Sequence, residues 1–355
     1  MLKRVLSGDY PRSGPLTAVL LIILMLLATA PFLFSGAQPL NVAAKVCVFI
    51  LLVASYDLLL GYTGIVSFAH TMFFGIGGYG VAIAFARLGP TWEALAIGIV
   101  AAIVVASALA LVIGLFSLRV RAIFFAMITL AVATAFAVLA SQLSGFTGGE
   151  DGLNYRVPEV LRPSFRLLDA PLFGTVVTGR VITYYIVFAG ALVGFLLLLR
   201  VVNSPFGRVL QAIRENDFRA EALGYRVVMY RSVASVVSAM MAAVAGVLLA
   251  LWLRYTGPDT TLSFAIMIDI LLMVVIGGMG TMYGAVLGAT LMIVAENYLQ
   301  ALLGKLGEAT AGIPVLSSLL SAERWLLWLG ILFILSVYFF PTGIVGRLRA
   351  LATRN

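Results

Sequence analysis

Residues 92–142 read WEALAIGIVAAIVVASALALVIGLFSLRVRAIFFAMITLAVATAFAVLASQ, which is two long apolar runs separated by Arg119 and Arg121. A membrane-spanning helix needs about 20 consecutive, mostly apolar residues. Each run reaches that length, and the two arginines mark the short loop between them. This stretch therefore predicts two membrane helices joined by a basic loop.

The rest of the chain has the same character. Of 355 residues, 62% are hydrophobic and 11% are charged, and the mean hydropathy is +1.11. An average soluble chain carries about 25% charged residues, so this one has too few to cover a water-exposed surface. The composition excludes cytosolic enzymes, nucleic-acid-binding proteins, disordered proteins and secreted disulfide scaffolds. It predicts an all-α polytopic membrane protein with a single transmembrane domain over residues 1–355.

The apolar runs give about ten candidate transmembrane helices. They lie near residues 15–36, 42–60, 64–86, 92–118, 121–142, 181–202, 232–253, 264–280, 283–302 and 324–341. The stretch 264–302 is broken only by the glycines from Gly277 to Gly284, and counting it as one helix would give nine spans.

Basic residues in short loops orient the spans, because Lys and Arg are enriched on the cytoplasmic side. A cytoplasmic N-terminus places the Arg119–Arg121 loop, the arginine-rich segment 203–231 and, with ten spans, the C-terminal arginines inside. Nine spans would leave those C-terminal arginines outside, which favours ten. The net charge of +8 thus indicates topology and not a nucleic-acid partner. The first apolar run is longer than a signal-peptide core, so we interpret it as a retained span.

Residues that carry enzyme chemistry are scarce. Cys47 is the one cysteine and His70 the one histidine, so no internal disulfide and no site with two histidines can form. No zinc-ligand spacing and no GxxxxGK[ST] phosphate loop occurs. An intramembrane aspartyl protease is a poor match, because Asp269 is not preceded by Gly-x-Gly, and no Gly-x-Ser-x-Gly is present. The sequence predicts no metal, no bound cofactor and no enzyme.

Two hydrophilic segments interrupt the spans. The external loop 143–180 opens with SGFTGGEDG and is either a connector or a docking surface for an external partner. The cytoplasmic segment 203–231 predicts two short helices, the first capped by Ser204 and the second by Asp217, with Gly224 in a left-handed conformation at the end. Apolar residues on two capped surface helices usually mark a partner site. Those residues are Leu210, Ile213, Phe218, Ala222 and Leu223.

Glycine-rich segments echo each other in the two halves of the chain. Tyr62-Thr63-Gly64 is followed by Ser67-Phe68-Ala69, and Tyr255-Thr256-Gly257 is followed by Ser263-Phe264-Ala265. Glycines let membrane helices approach closely or unwind around a cavity, and both interpretations stay open. The two echoes are five spans apart, an odd number, so they face opposite sides of the membrane. An inverted repeat of five spans is the hypothesis that this offset favours.

Three carboxylates lie inside apolar runs: Asp57, Asp269 and Glu296. Ionisable groups there are costly, and they either face a cavity or partner, or else make a hydrogen-bonded helix contact or lie near the membrane interface, as Glu296 could. His70 follows the first glycine segment and has the same two interpretations, a path residue or a packed histidine.

Four motifs in this order resemble one family. They are LLLGYTGIVSFAHTMFFGIGGYG at 58–80, FTGGEDGL at 146–153, GRVLQAIRENDFRAEALG at 207–224 and ILLMVVIGGMGTMYGAVLGA at 270–289. Together they are similar to the permeases of branched-chain amino acid ABC importers, specifically the LivM-type subunits.

The resemblance implies a type II-like ABC importer permease and a set of partners. These are a second, LivH-type permease subunit, two ATPase subunits that bind ATP and Mg²⁺, and a periplasmic binding protein, all at the bacterial inner membrane. It also implies that 203–231 is the ATPase-coupling segment. The coupling residues expected from the match are Arg214, Glu215, Asn216, Asp217, Glu221 and Gly224.

The expected translocation path lies along spans 2, 3, 7 and 8, whose glycine breaks allow irregular backbone. Its candidate residues are Tyr62, Thr63, Ser67, His70, Gly75, Asp269, Gly277 and Gly278. The solute is a branched-chain amino acid or, as in relatives of this class, urea, a short-chain amide or an aromatic carboxylate. An ion-coupled secondary transporter is the alternative class, with the intramembrane carboxylates as ion or proton sites.

Overall fold

The computed structural model describes residues 14–34, 36–117, 122–167, 176–309, 320–340 and 342–352. The longer helices in these ranges are α1 (Gly14–Leu33), α2 (Ala37–Thr63), α3 (His70–Leu88), α4 (Trp92–Ser117), α5 (Ala122–Gln142), α6 (Gly179–Val202), α7 (Pro205–Glu215), α8 (Asp217–Ala222), α9 (Val227–Leu253), α10 (Phe264–Gly277), α11 (Met282–Ala309), α12 (Trp325–Phe339) and α13 (Gly343–Ala352). Single helical turns occupy Ser144–Thr147 and Pro258–Thr261, and two short strands are β1 (Leu153–Asn154) and β2 (Tyr255–Thr256).

Each of the ten predicted spans coincides with one of these helices. Within the described ranges, nine helical segments are long and apolar enough to cross a membrane, and one of them is Pro258–Gly277, which includes both the single turn Pro258–Thr261 and α10. The tenth, α12, has 15 residues and a length of about 22 Å, which is shorter than the apolar thickness of a bilayer. The chain is therefore an all-α multi-pass membrane protein, as predicted. The Arg119–Arg121 loop and residues 168–175 of the predicted external loop lie outside the described residues.

The segments between spans collect at two ends of the helix bundle. α8 comes just before α9 and β2 comes just after it, so α8 and β2 lie at opposite ends of that span. We call the two ends the α7–α8 end and the β1–β2 end. β1 pairs with β2 in antiparallel register, with Leu153 opposite Thr256. Burial raises the pKa of the Tyr155 phenol, so it stays protonated and donates to the Ala250 carbonyl at 2.9 Å. These contacts fix the predicted external loop to the connection between α9 and α10.

The centre of the bundle is formed by α2 and α9, which pack on each other and on most of the other helices. Small residues allow α9 to pack closely on its neighbours, because membrane helices associate through close packing and not through burial from water. A Cβ on Gly77 of α3 would lie 1.9 Å from the Ala243 carbonyl oxygen of α9. The reciprocal position on α9 is Gly246, where a Cβ would lie 1.9 Å from the Phe74 carbonyl oxygen. The backbones of α3 and α9 are therefore in direct contact.

The third span begins later than the sequence indicates. The prediction started it at residue 64, but α3 begins at His70, and residues 64–69 are not helical. Gly64 has a φ of +73° and ends α2 in the left-handed conformation, which a glycine adopts without strain. An apolar run long enough for a span thus contains a short irregular segment.

Corresponding helices in the two halves make corresponding contacts. α3 packs on α4 where Gly80 meets Gly98, and α10 packs on α11 where Gly277 meets Gly284. In each half, the two helices in contact are the third and fourth of five spans. The arrangement agrees with the hypothesis of an inverted five-span repeat, which stays a prediction.

Candidate functional site

The two echoed sequence motifs lie against each other in the fold. In each, the serine hydroxyl accepts a hydrogen bond from the backbone N–H two residues later, at 3.4 Å from Ala69 to Ser67 and at 3.3 Å from Ala265 to Ser263. The aromatic residues that follow the serines, Phe68 and Phe264, have ring centroids 6.1 Å apart. Phe68 is also held to α5, because its N–H donates to the Thr129 hydroxyl at 3.0 Å.

A cavity of about 530 Å³ lies beside this aromatic pair. The residues that line it come from the start of α3, from α5, from the Pro258–Thr261 turn and from the start of α10. They are Phe68, Thr71, Leu130, Ala133, Thr134, Ala137, Val138, Ser141, Glu150, Pro258, Asp259, Leu262, Ser263 and Phe264. We call this space the central cavity because the echoed motifs of the two halves meet beside it, although neither α2 nor α9 lines it.

The central cavity offers opposite charges to a solute. It borders the N-termini of α3 and α10, where backbone N–H groups without helical partners carry a partial positive charge. The carboxylates of Glu150 and Asp259 line the same cavity near the β1–β2 end. Leu130, Ala133, Ala137 and Val138 of α5 give the cavity an apolar wall. The arrangement suits a small solute with an anionic group, a cationic group and an apolar body.

The eight path residues predicted from sequence do not line the central cavity. Tyr62 and Thr63 are buried near the end of α2, and Ser67 is buried in the irregular segment before α3. Their neighbours Phe68 and Thr71 are the residues that reach the cavity. The assignment of the eight residues to a translocation path stays a prediction.

His70 is a packed histidine in this structure. Its side chain is fully buried at the start of α3, and its Nε2 lies 2.8 Å from the Ser55 hydroxyl and 3.3 Å from the Leu52 carbonyl oxygen of α2. The Tyr56 ring is 5.1 Å from the imidazole, centroid to centroid. His70 therefore connects the start of α3 to α2.

The predicted path glycines serve close packing and turns. A Cβ on Gly75 would lie 2.2 Å from a methyl group of Leu262, and a Cβ on Gly277 would lie 2.0 Å from the Gly284 carbonyl oxygen. Gly278 has a φ of +117°, which begins the turn between α10 and α11. That turn lies at the α7–α8 end.

The three intramembrane carboxylates have different environments. Asp57 is 1% exposed, and its Oδ1 accepts a hydrogen bond of 2.9 Å from the Gly280 N–H. Asp269 and Glu296 are half-buried on α10 and α11. Asp57 therefore makes the hydrogen-bonded helix contact that was one of the two interpretations.

The cytoplasmic segment forms two capped helices, with one correction. Ser204 caps α7 by accepting from the Gly207 N–H at 3.4 Å, as predicted. Asn216 caps α8 by accepting from the Arg219 N–H at 2.8 Å, so the prediction that Asp217 is the cap is wrong. The reason is that Asn216 has extended backbone and Asp217 is already the first helical residue. Gly224, at φ +90°, lies in the left-handed conformation as predicted.

Side chains of this segment divide into an inward and an outward set. Leu210 and Ile213 are buried against the bundle, whereas Phe218 and Leu223 are 80% and 73% exposed. Ala222 is exposed as well and lies four residues from Phe218, on the same face of α8. We call Phe218, Ala222 and Leu223 the docking patch.

The predicted coupling residues divide in the same way. The Arg214 guanidinium donates from Nη1 to the Gly61 carbonyl of α2, and the Asp217 carboxylate pairs with Arg231 of α9 at 3.7 Å. Glu215 and Glu221 are exposed beside the docking patch. Because α7 ends at Glu215 and α8 begins at Asp217, Glu215 and Arg219 do not lie on one continuous helix.

The fold and the site define a class first: a multi-pass helical membrane protein in which the starts of two helices meet beside a cavity. Residues 38–337 match the family model described as the permease component of branched-chain amino acid transport systems. The chain belongs to this family, and it is a transport subunit of an ABC importer and not an enzyme.

Individual relatives agree with the family. The chain is 27% identical to the LivM permease of Salmonella typhimurium and 28% identical to LivM of Escherichia coli K12, over 302 residues in each case. Both matches cover 79% of this chain and 68% of the relative. It is also 25% identical to LivH of Salmonella typhimurium over 321 residues, which are 89% of this chain and 97% of LivH. Its predicted resemblance to these permeases is confirmed.

Proposed function

We propose that the chain is one of two permease subunits of a binding-protein-dependent importer in the bacterial inner membrane, with both termini in the cytoplasm. The similarity to LivM and to LivH, two permeases of one kind of transport system, supports pairing with a second permease subunit. Two ATPase subunits would bind ATP and Mg²⁺, and a periplasmic protein would deliver the solute. In this orientation the α7–α8 end is cytoplasmic and the β1–β2 end faces the periplasm.

The docking patch is the observation that carries the proposal. Phe218 and Leu223 expose most of their apolar surface in a segment that is otherwise charged. Two capped helices hold them outward, and Leu210 and Ile213 anchor the first helix in the bundle. Apolar side chains presented in this way mark a protein interface, and such anchors dominate binding energy. An ATPase subunit is the partner that the family offers on this side.

The central cavity is the proposed translocation site. Solute sites of membrane transporters lie at the junction of broken helices, whose N-termini bind anionic groups. Here the irregular starts of α3 and α10 meet at Phe68 and Phe264. Alternating access would open this cavity to one side at a time when the ATPases close and separate.

A branched-chain amino acid is the proposed solute. Its carboxylate would bind at the N-termini of α3 and α10, and its ammonium group would bind Glu150 and Asp259 in the same cavity. The names of the relatives agree with this solute. Urea and neutral amides carry no charge, and an aromatic carboxylate has no cationic group, so each would use fewer of these contacts.

The test is reconstitution of the complete system in proteoliposomes with the second permease, the ATPases and the binding protein. We expect labelled leucine, isoleucine or valine to accumulate only with ATP inside the cytoplasmic-facing compartment, and we expect the ATPases to co-purify with this chain. Uptake that survives ATP depletion but collapses with a protonophore would instead establish an ion-coupled secondary transporter. In that case Asp269 and Glu296 become the sites to replace.

Filling the central cavity tests the translocation site separately. Thr134 lies on α5 and lines the cavity, so Thr134→Trp places an indole where the solute would pass. We expect at least a tenfold loss of transport while assembly and ATP hydrolysis persist, because the cavity is remote from the docking patch. The matched control is Val104→Trp on α4, an exposed side chain outside the cavity. Unchanged transport by Thr134→Trp would place the path elsewhere.

A further inference from the structure

The end of α2 is held by groups from two distant parts of the chain. α2 ends at Thr63, so the Gly61 carbonyl is one of the last four, which have no partner within the helix. Arg214 of α7 donates a hydrogen bond to this carbonyl. A cation at a helix C-terminus also stabilises the negative end of the helix dipole. Arg214 thus caps a membrane helix that is 153 residues away in sequence.

The turn between α10 and α11 enters the same contact. The Gly280 N–H donates to Asp57 Oδ1 of α2 at 2.9 Å. A Cβ on Gly61 would lie 2.1 Å from Asp57 Oδ1 and 2.3 Å from the Gly280 nitrogen. A Cβ on Gly280 would lie 2.6 Å from Nη1 of Arg214. Two glycines are therefore needed for the three segments to meet, and we call Asp57, Gly61, Arg214 and Gly280 the joint.

Arg214 lies where movement of the docking patch would reach the membrane. It is near the C-terminal end of α7, two residues before the cap of α8, which carries Phe218. The Arg214 side chain contacts Gly61 at the end of α2 and Gly280 in the turn between α10 and α11. These two elements belong to different halves of the chain. Asp217 and Arg231 attach α8 to α9 by a separate ion pair.

We infer that Arg214 is a positioning residue that couples the docking patch to the joint, and so to opening at the cytoplasmic end. This inference rests on the proposed function, because it assumes that an ATPase moves α7 and α8. Arg214 would therefore act inside the permease and not at the ATPase surface. Loss of Arg214 should separate ATP hydrolysis from transport, whereas loss of a docking residue should remove both.

The first experiment uses the full chain alone in nanodiscs, so it does not depend on the ATPases. Hydrogen–deuterium exchange is measured on peptides that cover residues 278–284. We expect Arg214→Ala to raise the exchange rate there at least tenfold, because the turn loses the side chain that packs on Gly280. Arg208→Ala, an exposed arginine on the same helix, is the matched control and should leave the rate unchanged. If Arg214→Ala left the exchange rate of residues 278–284 unchanged, Arg214 would not hold this turn and the inference would be wrong.

The second experiment uses the reconstituted importer and compares ATP hydrolysed with solute transported. We expect Arg214→Ala to raise this ratio at least tenfold, and Arg214→Lys to restore part of the coupling because an ammonium group can still donate to a carbonyl. Equal losses of hydrolysis and transport would show that Arg214 acts only in docking or folding, which overturns the inference. A wild-type chain that assembles with no ATPase would refute the proposed function and leave the exchange result standing.

Discussion

Replacing Gly246 with leucine should abolish accumulation of the folded permease in the membrane. A Cβ at this position would lie 1.9 Å from the Phe74 carbonyl oxygen and 3.0 Å from the Gly78 nitrogen. Both are backbone atoms of α3, so no side-chain rotation relieves the clash. α3 and α9 would have to separate along their whole contact, in which Gly77 makes the reciprocal approach.

The expected effect is large because the clash lies at the centre of the bundle. Overpacking a core typically costs about 1–3 kcal/mol and more where backbone must move, against a total stability of about 5–15 kcal/mol. The measurement is fluorescence-detected size-exclusion chromatography after mild solubilisation, with at least a tenfold loss of the monodisperse peak. Gly330→Leu on α12 is the control, since a Cβ there meets no atom within 4 Å. A normal peak for Gly246→Leu would refute the backbone contact between α3 and α9.

Apolar run length was sufficient to predict the spans, because crossing a bilayer requires about 20 apolar residues regardless of tertiary contacts. It could not predict where α3 begins. Residues 64–69 are apolar enough to belong to a span, and the left-handed Gly64 and the Ser67 turn interrupt the helix without changing hydropathy. Cap assignment failed for a similar reason: Asn216 and Asp217 are both good caps, and only backbone geometry distinguishes them.

The candidate site depends on contacts between distant segments, which a single sequence does not specify. Ser67-Phe68-Ala69 and Ser263-Phe264-Ala265 were recognisable as echoes, but their meeting at a cavity required the fold. Thr134 and Glu150 carry no local signal that would assign them to the same cavity. Arg214 illustrates the limit most clearly. Its helix is charged and exposed, yet its guanidinium turns back to Gly61, a contact that spacing along α7 does not predict.

The docking patch gives the other large expected effect. In the double variant Phe218→Glu and Leu223→Glu, two exposed apolar side chains become carboxylates while the buried anchors of α7 stay intact. Each apolar anchor at the centre of an interface is worth about 2 kcal/mol or more. Their joint loss should weaken ATPase binding by about a hundredfold or more, since 1.4 kcal/mol corresponds to a factor of ten. Co-purification of the ATPases and ATP-dependent uptake should therefore both fall below detection.

The control must show that the double variant is inserted and folded. Leu167→Glu changes a similarly exposed leucine at the β1–β2 end and should leave ATPase binding unchanged. The double variant should itself keep the wild-type chromatographic peak, because Phe218 and Leu223 make little contact with the bundle. Glu221→Lys reverses a charge beside the patch and should weaken binding to a lesser extent. If the double variant still bound the ATPases with wild-type affinity, α8 would not be the coupling element, and Arg214 would have no movement to transmit.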